Sequence, residues 1–311
     1  MMQYREADAK CVKQYVERQK HDNNQQSKVI CLCRDIIQPS SSSNTSKVLS
    51  LINKYFDETL IRGDGIFTKL TDSASEWAQI KNITYLGNII GSLPERQEMP
   101  DNMRPVLVNA GGGHDNSDVD FYKNVIRSKI YSSTLSTNPW KVLLSNKMPE
   151  GKIMFLGKVV EETNEAIIEK ARNSGKPEAE IGLIELSTTI PHNEYAQMIS
   201  NAAASFTRGS YNNNFELISK NIPYVSVPRP NKTEQLIRAE KVDKLGFGRL
   251  VPPERCSPEA LAEAIDKEVG ERASRRVPKL DFNGAQKMTN HILEIASALQ
   301  RPLEMGKENH R

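Results

Sequence analysis

A turn, a helix start and a carboxylate lie close together in Thr207-Arg208-Gly209-Ser210-Tyr211-Asn212-Asn213-Asn214-Phe215-Glu216. A tight turn running into a helix N-terminus presents backbone N–H groups that can hold a diphosphate. Glu216, one to two turns further along, can accept two hydrogen bonds from a ribose diol. An apolar run ending in Val227-Pro228-Arg229-Pro230 follows, then Glu234-Gln235, whose amide can read a sugar or a base. Turn, helix, strand and amide-bearing loop in this order build a nucleotide pocket at the carboxyl edge of an open α/β sheet. The local pattern does not name the ligand. The same residues also fit a polar loop capping a helix, followed by a solvated glutamate.

A second turn stands upstream. Val106-Leu107-Val108-Asn109-Ala110 reads as a buried strand and Gly111-Gly112-Gly113 as the turn that leaves it. Three glycines exceed what a turn needs and let backbone N–H groups approach a phosphate or an acceptor. His114-Asp115-Asn116-Ser117-Asp118 comes next and places two carboxylates where an anion would sit. Either these point away as helix caps, or the turn faces an acceptor, with His114 placed as catalytic base or acceptor contact. His192, after Pro191 near a helix start, has the look of a structural histidine.

Two strings of alternating strands and helices must position these turns. The first includes strands at Val29–Cys33, Glu58–Gly63 and Ile83–Asn88, with a helix carrying Val48, Leu49, Leu51, Ile52, Tyr55 and Phe56 at helical spacing. Residues 5–27 read as a polar helix fraying into a linker, and Pro94–Arg104 as a linker between domains. The second string has strands at 106–110, 140–144, 153–156, 181–186 and 224–227. Its helices fall at 119–126, 161–172, 192–204, 215–220 and 233–245, with a Ser257-Pro258 helix start and a long helix over 282–299. Strand–helix alternation predicts parallel sheets with helices on both faces. The expected domains are 1–98 and 99–311.

Of 311 residues, 38% are hydrophobic and 26% charged, which fits a globular protein of about two domains. A net charge of +3 is too small to argue for a nucleic-acid partner. Cys31 and Cys33 share one face of a strand, and no cysteine has zinc-site spacing, so free thiols in a reducing compartment are expected. No apolar run reaches membrane-spanning length, and a cytoplasmic location is expected, with room for peripheral contact at the inner face of a membrane.

Residues 106–265 resemble the carboxyl-terminal domain of nucleotide-sugar glycosyltransferases of the two-Rossmann GT-B type. The group nearest in motif includes the lipid-linked N-acetylglucosaminyltransferases of peptidoglycan synthesis and other family-28-like glycosyltransferases. The motifs are Gly209-Ser210-Tyr211-Asn212-Asn213…Glu216 and Pro228-Arg229…Glu234-Gln235…Arg238-Ala239. Val108-Asn109-Ala110-Gly111-Gly112-Gly113 matches the first strand and turn, and Leu245-Gly246-Phe247-Gly248 a helix end. Arg34-Asp35-Ile36 and Tyr55-Phe56-Asp57 resemble the late part of the family's amino-terminal domain.

The resemblance implies a UDP-sugar donor on the carboxyl-terminal domain and an acceptor, lipid-linked or small, on the amino-terminal one. It also implies transfer with inversion and no tightly bound metal or other cofactor. It assigns donor binding to Arg208, Gly209, Ser210, Asn212, Asn213, Glu216, Glu234, Gln235 and Arg238, with Arg208 paired to the diphosphate and Arg238 near the phosphate or Glu234. Gly111, Gly112 and Gly113 form the phosphate or acceptor turn, and His114 and Asp35 are the catalytic candidates. Asn213 stands where the family has threonine.

The amino-terminal domain departs from the family. Only about 90 residues precede the linker, and residues 1–60 hold no Gly-rich turn. The expectation is an incomplete first domain, from a shortened chain or one completed by a partner chain. A non-catalytic nucleotide-sugar-binding subunit, or degenerate paralogue, and a UDP-sugar 2-epimerase are the alternatives.

Overall fold

The computed structural model describes Cys11 and residues 13–18, 28–36, 42–111 and 115–300. Two units emerge. One comprises the chain up to Ile89 together with the segment from Leu280; the other is Ile90–Lys279. The expected division at 98/99, with the last helix in the second domain, is therefore corrected: the C-terminal helix Gly284–Gln300 belongs with the first unit. Within that unit His291 Nε2 meets Glu58 at 2.8 Å, and Asn88 N donates to Asp281 O at 2.7 Å.

The first unit holds a parallel sheet of three strands, β1 (Ile30–Arg34), β2 (Glu58–Arg62) and β3 (Ile83–Tyr85), in that order. Helix α1 (Ser42–Tyr55) buries Leu49 and Ile52 with Cys31, Cys33, Ile61 and Trp77. The two thiols share a face as the strand period requires, 3.4 Å apart, and neither is in a disulfide.

The second unit is built on β4 (Val106–Asn109), α2 (Ser117–Ser128), β5 (Trp140–Leu143), α3 (Glu150–Asn173), β6 (Ile184–Ser187), α4 (His192–Asn201), β7 (Ala204–Thr207), α5 (Tyr211–Ser219), β8 (Tyr224–Ser226), α6 (Thr233–Leu245), β9 (Arg249–Leu250) and α7 (Pro258–Glu271). The sheet order is β6-β5-β4-β7-β8-β9, every pair parallel. Val106, Val108, Trp140, Val142, Phe206 and Val225 form its buried core with Phe121, Val125, Leu156 and Ile265 from the helices. Ser257 caps α7 by accepting from Ala260 N, as its Ser-Pro start predicts.

Two elements differ from the sequence reading. Residues 153–156, expected as a strand, lie inside α3, because Leu156, Val159, Val160, Thr163 and Ile167 recur on one helical face. The helix expected over 192–204 stops at Asn201, and Ala204–Thr207 form the central strand β7, buried on both faces. Its small residues continue a helical composition, so nothing local marks the change. The expected linker at 94–104 is fastened to the six-stranded unit: Gln97 N donates to Asn201 Oδ1 at 2.8 Å and Lys220 Nζ to Pro94 O at 2.7 Å.

Candidate functional site

The strand order reverses between β4 and β7, and a crevice opens beyond the carboxyl ends of strands at such a point. Both glycine turns leave from it. Gly111, after β4, has φ +87° and Gly209, after β7, φ +75°, a region closed to most side chains. A Cβ on Gly209 would stand 3.0 Å from Ser226 Oγ and 3.2 Å from Gln235 O; one on Gly111 would stand 3.6 Å from Ser210 Oγ. The two turns therefore adjoin. Ser210 holds the N-cap position of α5 in extended conformation and makes no side-chain cap bond, so its hydroxyl and the first N–H groups of α5 border the crevice. Gly112, Gly113 and His114 lie outside the described residues.

Arg208 does not face this crevice, which corrects the expected pairing with a diphosphate. Its side chain is 3% exposed. Nε donates to Asp118 Oδ1 at 3.1 Å, Nη1 to Val227 O at 3.3 Å and Nη2 to Ser117 Oγ at 2.5 Å, with Phe121 against the guanidinium. Arg229 joins from the β8–α6 loop, donating to both Asp118 oxygens at 3.0 and 2.9 Å and to Ala110 O at 3.1 Å. Asp115 N adds a fourth bond to Asp118 at 2.8 Å. Asp118 thus turns inward and ties the β4 turn, the β7 turn and the β8 loop together. Asp115 is held below the usual carboxylate range by the Ser117 backbone and hydroxyl.

Glu216 is arranged differently. Its residue is 6% exposed, and Oε2 is buried with no hydrogen-bond partner among the described residues. Burial pushes the carboxyl up to about 7, against the Tyr195 hydroxyl beside it, which acts in the lowering direction. Burial and the neighbouring Glu216 push the Tyr195 phenol up in turn. Tyr195 links several elements: Asn109 Nδ2 donates to its hydroxyl at 3.0 Å, and the hydroxyl donates to Asn213 Oδ1 at 3.2 Å. Asn109 Oδ1 accepts from Gly111 N at 2.7 Å, and Asn213 Nδ2 reaches Thr207 Oγ1 at 3.4 Å. A side chain on Gly91 would stand 3.9 Å from His192 Nε2 and 4.0 Å from Glu216 Oε1, so this glycine leaves a gap bordered by both.

The remaining candidates divide. Gln235 is buried and accepts from Arg229 N at 3.0 Å, which holds the β8–α6 loop. Arg238 is buried under the β7 turn, with Nη1 3.5 Å from Gly209 O and Glu234 3.9 Å away. Asn212 is exposed at the start of α5. Asp35, in the other unit, is wholly buried and accepts from Thr68 Oγ1 at 3.5 Å; a group so enclosed meets no substrate in this conformation.

Beside Tyr195 a pocket of about 260 Å³ is lined by Asn109, Gly111, Leu143–Asn146 and Ser187–Ile190 at the ends of β4, β5 and β6. The sequence reading named neither Asn109 nor Tyr195 as a site residue. An asparagine ending an apolar strand directly before a glycine turn was the available signal for the first. Tyr195 carried none, because its role comes from tertiary approach. Among the described residues no helix is long and apolar enough to cross a membrane.

No family model matches the chain. An uncharacterized glycosyltransferase of Methanopyrus kandleri is 36% identical over 94 residues, 29% of this chain and 26% of that protein. MurG of Acinetobacter baumannii superposes with a TM-score of 0.50 at 11% identity, covering 86% of this chain and 66% of that one. A putative UDP-N-acetylglucosamine 2-epimerase from Listeria monocytogenes gives 0.50 at 14% identity, covering 97% of this chain and 83% of that one. The chain has the α/β, parallel-sheet GT-B fold expected from its motifs, and it is similar in sequence over part of its length to a protein named a glycosyltransferase.

Proposed function

We propose that the chain is a glycosyltransferase that takes its sugar from a UDP-sugar held at the carboxyl edge of the six-stranded sheet. The observation that carries this reading is Glu216: a buried carboxyl with an unpartnered oxygen, one and a half turns into the helix that follows a glycine turn at the switch point. Two ribose hydroxyls donating to it would supply the missing bonds. The pocket beside Tyr195 is placed to take the base on one side, and the Gly209-Ser210 turn with the N–H groups of α5 to take the diphosphate on the other. The buried Asp118, Arg208 and Arg229, with the half-buried Asp115, balance their own charge, so the diphosphate is met by backbone and helix dipole.

In transfer, an acceptor hydroxyl oxygen bonds to the anomeric carbon from the face opposite the diphosphate, its proton passes to a general base, the role expected of His114, the bond to the diphosphate oxygen breaks, and UDP leaves with the electron pair. Inversion follows from one displacement, and the reading calls for no tightly held metal. The acceptor, lipid-linked or small, belongs to the first unit in this reading, and a partner chain completing that unit remains part of it. Calorimetry with UDP tests the donor site, and release of UDP only on addition of acceptor tests transfer.

A second reading, a UDP-sugar 2-epimerase, is favoured by the fold shared with the Listeria protein over 97% of this chain. Interconversion of two UDP-sugar epimers with no acceptor present would decide for it. Binding of UDP-sugars with neither reaction would leave a nucleotide-sugar-binding subunit.

A further inference from the structure

Neither backbone nor packing requires a glycine at position 91. Its φ is outside the left-handed region, and the nearest atoms to a Cβ built on it are 3.9 and 4.0 Å away, an ordinary contact distance. The missing side chain keeps a space open instead. His192 Nε2, His192 Cε1 and Glu216 Oε1 border that space. All three residues belong to the six-stranded unit. Glu216 reaches it from α5 and is buried, with Oε2 unpartnered among the described residues. His192 is the first residue of α4 and is exposed, so it is not the structural histidine its sequence position suggests. Tyr195 N donates to Pro191 O at 3.0 Å, which fixes the turn that carries it.

We propose that the gap at Gly91 takes one hydroxyl of the nucleotide's ribose, which donates to Glu216 and accepts from His192 Nε2, so that His192 is a further binding residue that reads ribose against deoxyribose. The inference rests on the donor-site reading of Glu216 and deepens it. The two walls select the occupant. An ionised carboxylate only accepts, and an imidazole nitrogen carrying its proton donates. An anion would be repelled by Glu216, whereas a hydroxyl donates to one wall and accepts from the other. Both polar atoms lie within 4.0 Å of one point, so a single hydroxyl between them reaches both. The neighbouring wall agrees. Ile190, two residues before His192, lines the pocket beside Tyr195 that takes the base in this reading. A nucleoside with its base in that pocket and its diol on Glu216 carries its ribose past His192. The one cation close by on α5, Lys220, is committed to Pro94 O.

The test is calorimetry with UDP, 2′-deoxy-UDP and 3′-deoxy-UDP at pH 8, above the value of about 7 to which burial raises the Glu216 carboxyl. The proteins are the wild-type chain, His192→Ala, His192→Gln and Gly91→Ala. His192→Ala should weaken UDP binding about five- to tenfold, the worth of one hydrogen bond. Its loss should vanish for the deoxynucleotide that lacks the hydroxyl His192 meets. His192→Gln places an amide N–H near the position of Nε2 and should recover most of the affinity, which a merely structural histidine would not predict. Gly91→Ala should keep the wild-type thermal midpoint, because its methyl has room in the free chain, and should bind UDP several-fold more weakly, because the methyl takes the hydroxyl's place. If His192→Ala weakens all three nucleotides equally or none of them, or if Gly91→Ala binds UDP as wild type does, the proposal is overturned while Glu216 keeps its role. If the wild-type chain binds no UDP, or does not distinguish it from either deoxynucleotide, the donor-site reading itself fails and the proposal falls with it.

Discussion

Asp118 and Glu216 are both buried carboxylic side chains near the carboxyl edge of one sheet, and they are treated in opposite ways. Asp118 accepts from the Arg208 and Arg229 guanidinium groups and from the Asp115 amide. Glu216 has an oxygen with none. A carboxylate whose lone pairs are filled by the protein fastens loops. One left short at the same edge is poised to accept from something that arrives. In the proposed reading the difference separates the frame of the site from its binding surface, although both residues sit close to glycine turns and both look alike in sequence.

The largest effect should come from breaking the frame. Asp118→Asn leaves two buried guanidinium groups without their counter-charge and should lower unfolding free energy by about 3–5 kcal/mol in urea denaturation. A loss under about 1 kcal/mol would make the two carboxylates equivalent and end the comparison.

Glu216→Gln should do the reverse. It should weaken UDP binding roughly a hundredfold, the worth of about two hydrogen bonds to a charged group at 1.5–3 kcal/mol each, reduced for the amide oxygen that remains. It should also stabilise the free chain at pH 8. Burial raises the Glu216 carboxyl to about 7 from its ordinary 4.5. Between those values the folded state binds more protons than the unfolded state, so wild-type stability falls as pH rises through that window and levels off above it. Glutamine does not titrate, so its advantage in thermal unfolding should be absent near pH 4 and on the order of 2–3 kcal/mol at pH 8. A variant less stable than wild type at both pH values would show that the carboxyl is satisfied after all.

Lys129 extends the same contrast to the opposite end of the sheet. Its ammonium donates to Leu135 O, Ser136 O and Asn138 O at 3.3, 3.2 and 2.7 Å, over the Trp140 ring. Lys129→Met should cost about 1–3 kcal/mol in thermal unfolding by taking the ammonium donor from Ser136 O and Asn138 O, while Leu135 O keeps the bonds from Asn138 N and Trp140 Nε1, with UDP binding unchanged. The smallest expected change is Ser210→Ala: no stability loss beyond about 0.5 kcal/mol, because the hydroxyl caps nothing, and a several-fold loss in UDP affinity.

The parallel-sheet architecture was legible because strand–helix alternation and turn glycines are local signals, and Thr233–Leu245 is found where the sequence placed it. Strand β7 was not, since Ala204-Ser205-Phe206-Thr207 has no period of its own and becomes a strand by pairing with β4 and β8. Glu216 was singled out by its distance behind the Gly209 turn, while its burial comes from tertiary packing. The inward commitment of Arg208 was not, because its partner Asp118 is 90 residues away in the chain. Basic residues beside a glycine turn look available for phosphate until tertiary structure shows where their donors go.

The central claim is that Glu216 receives the ribose diol, and the most direct measurement compares UDP with 2′-deoxy-UDP on the wild-type chain and on Glu216→Ala. The account predicts that wild type prefers UDP about tenfold or more and that the preference disappears in the variant, the ligand hydroxyl and the carboxylate being one interaction. An equal preference in both proteins, or no preference in the wild type, would contradict it.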